Sequence, residues 1–277
     1  MPDCVPQITV LMKNYLLILF ISTILFISCS KDEAKPDTNS TAAGKVTLSF
    51  DAVLGTNDFA LNKDFTINGK TWNFTQLRYW VSNVVLINAK GEEFAVPNAY
   101  YLIEENNAAT TNSDFTYPAN KREDVQLTGI PAGTYKSIRF AVGVPEKYNN
   151  NLSLQAGELS QLNGMTNVSW MWATSYIFSS VKGKVAEGNT TGIATAKELK
   201  IETGLNANFK TVALILPSDL NIGGNQSSTI VLNADVSKVT DGVDIMATPA
   251  VGASQANVMT VVAGNYATKV FTVKSVK

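Results

Sequence analysis

Histidine is missing from all 277 residues of this chain. Its absence excludes Ser-His-Asp and Cys-His catalysis, imidazole-bound zinc, axial-histidine haem and any imidazole pH switch. Cysteine is nearly absent: Cys4 and Cys29 lie close to the start, so no disulfide can staple the later chain. Neither charge sign is in excess, with 22 basic against 23 acidic residues, so nothing supplies the positive field that a nucleic-acid partner requires. No apolar run reaches the ~20 residues of a membrane-spanning helix. Gly223-Gly224-Asn225 lacks the Gly-Lys-Ser/Thr of a phosphate-cradling loop and reads as a hairpin turn. Asp235, Asp241 and Asp244 do not have EF-hand spacing and read as a solvated loop. Glu92-Glu93 and Glu104-Glu105 are strand neighbours that point to opposite faces, so neither forms an acid/base pair by itself. The expectation is a protein that is not an enzyme.

What the chain does have begins with its leader. Met12, Lys13 and Asn14 precede an apolar run from Tyr15 to Ile27, followed by Ser28 and Cys29. That is the layout of a secretory signal, residues 1–28, with 1–11 reading as an upstream misread start. F-I-S-C at 26–29 resembles a bacterial lipobox, in which Cys29 becomes the lipidated first residue; the plainer reading is an ordinary signal peptide with an incidental cysteine. Residues 29–44 contain no large apolar side chain and are expected to be a flexible tether. Lys31, Asp32 and Glu33 resemble the acidic export signal of Bacteroidetes-type surface lipoproteins, against the alternative of a solvated linker. The expected location is the outer membrane through a lipid anchor, with display on the cell surface under the export-signal reading.

From residue 45 onward the pattern is that of a β protein. Val46, Leu48 and Phe50 alternate with Thr47 and Ser49, the period of a half-buried strand. Leu77–Asn88, a turn at Ala89-Lys90-Gly91-Glu92 and Phe94-Ala95-Val96 read as a hairpin. Further strands are expected over 100–104, 124–128, 135–142, 170–182, 197–203, 210–216, 229–235 and 270–273. One helix is expected, Ser254 to Ala263, with Ser254 as N-cap and Gly264 at its end. Strands without intervening helices predict an all-β, two-sheet antiparallel sandwich with minor short helices, one domain over 45–277.

One cluster carries candidate chemistry. Met165 leads to Trp170-Met171-Trp172 and then Tyr176-Ile177-Phe178. On a strand Trp170 and Trp172 share a face and Met171 takes the other. The plainer reading is an aromatic core layer. The functional one makes Trp170, Trp172 and Tyr176 redox or stacking groups, with Met165 and Met171 as soft ligands suited to Cu(I).

Five segments in order, V-T-L-S-F-D-A-V-L-G (46–55), F-T-Q-L-R-Y-W-V-S-N-V-V-L (74–86), A-Y-Y-L-I-E (99–104), L-T-G-I-P-A-G-T-Y-K-S-I-R-F-A-V-G-V (127–144) and N-G-M…W-M-W-A-T-S-Y-I-F-S-S-V-K-G (163–183), resemble the MbnP-like copper-binding family associated with methanobactin. The resemblance spans about 46 to 273. It implies a β-sandwich in a secreted or lipid-anchored protein, copper as the bound metal, and a partner dihaem peroxidase-like enzyme that in some members oxidises a tryptophan to kynurenine. This chain departs from the pattern where the family commonly has histidine: those positions read Ala52 and Tyr101, and 254–266 contain none. Ser175 stands where a glycine is usual before Tyr176. Two readings follow. One is a copper-handling or degenerate copper-binding scaffold using Met165, Met171 and the tryptophan pair. The other is a non-metal binding module for glycan or protein, using exposed aromatics.

Overall fold

The computed structural model describes residues 43–110, 116–167, 175–188, 196–223 and 227–277. Cys29, Lys31, Asp32, Glu33, Trp170, Met171 and Trp172 lie outside the described residues. The chain runs β1 (Gly44–Leu54), β2 (Asn57–Asp58), β3 (Asp64–Ile67), β4 (Lys70–Asn88), β5 (Glu93–Ala95) and β6 (Tyr100–Asn106). The short pair β7 (Ala109–Thr110) and β8 (Thr116–Tyr117) follows, then β9 (Asn120–Arg122), β10 (Asp124–Ile130) and β11 (Gly133–Val142). After helix α1 (Glu146–Asn149) come β12 (Thr166–Asn167), β13 (Ser175–Glu187), β14 (Lys197–Gly204), β15 (Lys210–Ile222) and β16 (Ser227–Asp235). The chain ends with β17 (Ala250–Val251), helix α2 (Ala256–Thr268) and β18 (Phe271–Val276).

Two sheets face each other across one main core. The smaller is ordered β10-β1-β16-β18 and the larger β15-β11-β4-β13-β14-β17, with β3, β5 and β6 also on β4. In β1 the period of two holds along the strand: Val46, Leu48, Phe50, Ala52 and Leu54 all turn inward and are at most 4% exposed. Phe50 meets Tyr79 and Phe140 of the facing sheet, and Phe271 of its own sheet, edge-on. Such T-shaped pairs contribute about 0.5–1.5 kcal/mol each beyond their area burial.

β4 is the longest strand, and its sequence does not alternate cleanly because it contains two bulges. Phe74 lies opposite Gly183 and Gln76 opposite Lys182, leaving Thr75 as the extra residue. Asn83, at φ 52°, is the extra residue between Ser82 and Val85 opposite β11. Each bulge inverts the face on which side chains land. Phe74, then Leu77, Tyr79 and Val81, then Val84 and Leu86 therefore all point into the main core, while Gln76, Arg78 and Trp80 point outward. The first half of β4 pairs with β13 and the second with β11, so one strand joins both parts of the large sheet.

Several expectations need correction. The sandwich is mostly antiparallel, but β1 pairs parallel with β16, and β14 with β17. Gly224 and Asn225 of the expected hairpin turn lie outside the described residues, and the strands on either side, β15 and β16, belong to different sheets and do not pair as a hairpin. The helix starts and ends later than expected, at Ala256 and Thr268, after a 3-10 turn at Ala253–Gln255. Ser254 falls within that turn and is not the N-cap; Gln255 reaches back to the Gly252 N–H at 3.1 Å. Gly264 lies inside the helix, which continues because Val262, Ala263 and Tyr266 bury its face. β4 also begins upstream of the expected strand, at Lys70, and the strand expected from Trp170 is described from Ser175.

Gly183 has a tight steric role in this frame. A Cβ there would stand 2.1 Å from the Asn73 carbonyl oxygen and 2.8 Å from the Phe74 Cα, both backbone atoms that cannot swing aside. Gly183→Ala is expected to destabilise the fold by about 2–4 kcal/mol, read as a lower midpoint with unchanged slope in urea unfolding.

Candidate functional site

The outward face of the large sheet carries a second apolar cluster, separate from the main core. Trp80, Leu102, Val144, Leu152, Leu159, Met165, Tyr176 and Phe178 form it, each at most 8% exposed. The chain between β11 and β12 supplies the cover. Gly143 allows the approach: at φ +120° its missing Cβ would stand 2.7 Å from the Phe178 ring. Trp80 and Tyr176 are both fully buried and meet edge-on at 5.8 Å and 83°. Burial of side chains of this size contributes about 1.5–3 kcal/mol each.

Hydrogen bonds fix the stems on which Trp170-Met171-Trp172 are carried in sequence. β12 pairs with the start of β13, Thr166 opposite Tyr176 and Asn167 opposite Ser175. Asn149 closes α1 onto this strand, accepting from the Tyr176 N–H at 2.9 Å and donating to Asn206 Oδ1 at 2.8 Å. Asn163 Oδ1 accepts from the Met165 N–H at 2.9 Å, and the Met165 carbonyl accepts from the Ile177 N–H at 2.9 Å. Three polar groups here, Trp80 Nε1, Tyr176 Oη and Ser175 Oγ, are buried without a hydrogen-bond partner among the described residues.

Beneath the stems lies a buried ion pair that the sequence reading missed. Arg78 on β4 meets Glu104 on β6, with side chains 5% and 3% exposed. Arg78 Nε donates to Glu104 Oε2 at 2.8 Å and its Nη1 donates to the Asn163 carbonyl at 2.8 Å. The other carboxylate oxygen accepts from Tyr117 Oη at 2.7 Å and Asn120 Nδ2 at 2.8 Å. The guanidinium also lies over the Tyr117 ring at 4.6 Å. Burial, and then the neighbouring Glu104 carboxylate, push the Tyr117 phenol up to about 12. Every oxygen of Glu104 is thus used, the condition under which a buried pair holds its place. The only hint in the sequence is one arginine inside L-R-Y-W-V and a glutamate at the matching register of Y-L-I-E.

The sequence-derived candidates divide. Met165 and Tyr176 come together, both sealed inside the outer cluster, so Tyr176 packs against Trp80 and offers no stacking face to an outside ligand. Ala52 is buried in the main core on β1, and Tyr101 on β6 is half-buried against the same core. Glu104 and Glu105 do face opposite ways, but Glu104 takes a structural partner of its own. Asp235 caps the turn at Ser237, Asp241 pairs with Lys269 and Asp244 accepts from the Met246 and Ala247 N–H groups. Among the described residues no three His, Cys, Asp or Glu side chains gather as a metal site would require.

Against known proteins, the sequence profile of the MbnP family matches residues 43–260, most of the chain. The chain belongs to the MbnP family. Among solved structures, MbnP from Methylosinus trichosporium is similar at 15% identity and a TM-score of 0.43, covering 71% of this chain and 80% of its own. A search of curated proteins finds no match.

The copper that the resemblance implies finds no matching donor set among the described residues. Tight Cu(II) sites use imidazole nitrogen, and tight Cu(I) sites gather thiolate, thioether or imidazole. The sulfur donors that are described stand apart. Met165 is enclosed by the outer cluster, whereas the Met259 sulfur lies in the main core and accepts from Asn208 Nδ2 at 3.0 Å. Met246 packs against the main core from outside.

For the ion pair the expected outcome is specific. Glu104→Gln keeps the shape but leaves Arg78 as an uncompensated buried charge, and should cost about 3–5 kcal/mol. Urea unfolding measures it; a loss below 1 kcal/mol would show that water reaches the pair.

Proposed function

We propose that this protein is a cell-envelope lipoprotein whose MbnP domain is a non-catalytic binding scaffold without a tight copper site. One observation carries the second half of that reading: the sulfurs of Met165 and Met259 lie in different clusters, while the positions that commonly hold histidine are an alanine and a tyrosine. The lipoprotein half is supported by F-I-S-C at 26–29, the polar stretch behind it, and a domain beginning at β1 only fifteen residues after Cys29. Among the described residues no helix is long and apolar enough to cross a membrane. An acyl group on Cys29 would supply the attachment, at about 0.8 kcal/mol per buried CH₂.

The domain is expected to bind Cu(II) no more tightly than a generic carboxylate surface. Cu(I) binding, if measurable, should be weak and lost in Met165→Leu or Met171→Leu. Calorimetric titration with each oxidation state decides the point, and a stoichiometric submicromolar Cu(II) site would overturn the reading.

Anchoring has its own test. Cys29→Ala should move the protein from the membrane pellet to the soluble envelope fraction. A variant that still pellets and resists salt extraction would rule out the lipid anchor.

A further inference from the structure

Away from the outer cluster, between the β3–β4 turn and the segment following β16, lies a cavity of ≈ 190 Å³. That is smaller than the ~300–1,000 Å³ of pockets for drug-sized ligands. It exceeds the ~150 Å³ that accommodates benzene in an engineered protein cavity. Its size therefore suits a single six-membered ring.

The walls are of two kinds. Trp72 lines the cavity and remains partly exposed, while one face of its indole is stacked on Phe74 at 5.9 Å and 11°. Around it stand polar groups: Asn68, Lys70, Ser237, Thr240 and Asp241. Both charges are already engaged. Lys70 Nζ is 3.6 Å from Glu187 Oε1, and Asp241 Oδ2 accepts from Lys269 Nζ at 2.7 Å. An ionic ligand would have to compete with those partners, whereas a neutral ligand rich in hydroxyls would not. The far wall is preformed. Buried Asn265 on α2 donates from one amide nitrogen to the carbonyls of Val239 and Asp241, at 3.1 and 2.8 Å, which fixes the turn that carries Thr240 and Val243.

We propose that this cavity is a carbohydrate subsite that takes one pyranose ring, with the C–H face of the sugar on Trp72 and its hydroxyls toward Ser237 and Thr240. The Ser237 hydroxyl donates its proton to Asp235 Oδ1 at 2.7 Å and keeps its lone pairs for a donor. A simple aromatic ring would satisfy the indole but offer nothing to those lone pairs or to the Thr240 hydroxyl; a sugar matches both. The inference rests on the binding-scaffold reading and narrows it to a ligand class. It is independent of the copper titration, so either can fail alone.

The test uses the full chain carrying Cys29→Ala, labelled with nitrogen-15, and the methyl glycosides of glucose, galactose, mannose and N-acetylglucosamine. Each is added to about 50 mM, because single-ring affinities fall near the millimolar end of the scale. At least one glycoside should give saturable shifts of the Trp72 indole N–H and the amides of 240–243. Val243→Trp, which fills the cavity and leaves Trp72 in place, should weaken that binding at least about tenfold. Thr240→Val removes one rim hydroxyl with little change of volume and should weaken it about three- to tenfold. This milder variant also keeps the test open if the larger one does not fold. Three outcomes overturn the proposal: no glycoside saturates, both folded variants bind as the parent does, or benzoate binds this cavity more tightly than every glycoside.

Discussion

Burial of β4 on both faces is the constraint from which most of this structure follows. A strand in a sandwich ordinarily shows one face to the core and the other to water. Here the inward face belongs to the main core and the outward face to a second cluster around Trp80. Without cover, Trp80 would put a large apolar ring in water. The cover is the long excursion from Gly143 to Asn167, whose regular secondary structure is limited to α1 and β12. Leu152, Leu159 and Met165 fasten it to Trp80, and Arg78 fastens it again through the Asn163 carbonyl. The stems next to the Trp-Met-Trp segment are thus held by hydrophobic burial and by one charge network, both rooted in a single strand.

That arrangement also sets how the donors among the described residues are distributed. A metal centre needs several donors converging on one point, and the described sulfurs are spread across two clusters. Among the described residues Arg78, Glu104, Tyr117, Asn120 and Asn163 converge in one buried polar network, and both oxygens of Glu104 are engaged within it. A network with all of its acceptors engaged is suited to holding four chain segments in register rather than to taking a ligand. Binding is better served where walls are firm and polar groups are not mutually consumed. The Trp72 cavity has the firm wall, its far turn held from behind by Asn265, and although its two charges are paired, the Thr240 hydroxyl stands on its rim.

Strands with one buried face were legible in the sequence because burial writes itself as alternation. β1, β11 and β16 are of this kind, and Thr47 and Ser49 mark the outward positions of β1 as clearly as Val46 and Leu48 mark the inward ones. β4 was legible as a strand but not as a two-faced one: the bulges at Thr75 and Asn83 shift the period without leaving a compositional mark, apart from an asparagine that tolerates positive φ. The parallel pairing of β1 with β16 was invisible, since strands far apart in the chain carry no local signal of direction. Helix α2 was seen but placed too early. Ser254 has the chemistry of an N-cap, yet the chain first makes a 3-10 turn, and Gly264 is carried through by the packing of Tyr266 against Tyr79 and Phe271.

The ion pair shows why a site can be harder to read than a fold. Arg78 and Glu104 are separated by twenty-six positions, and each sits in a segment whose other residues announce a hydrophobic strand. Taken singly, Arg78 carries no signal of its own and Glu104 reads as half of an acidic doublet. Only the register of β4 with β6, which sets them directly opposite on the outward face, makes them one object. The Thr75 bulge lets Phe74 and Leu77 share the core face, while Leu77 and Tyr79 in that core keep Arg78 on the outward one. A charge on the aromatic side would face a desolvation cost of several kcal/mol with no compensating partner, a cost that the outward placement of Arg78 opposite Glu104 avoids.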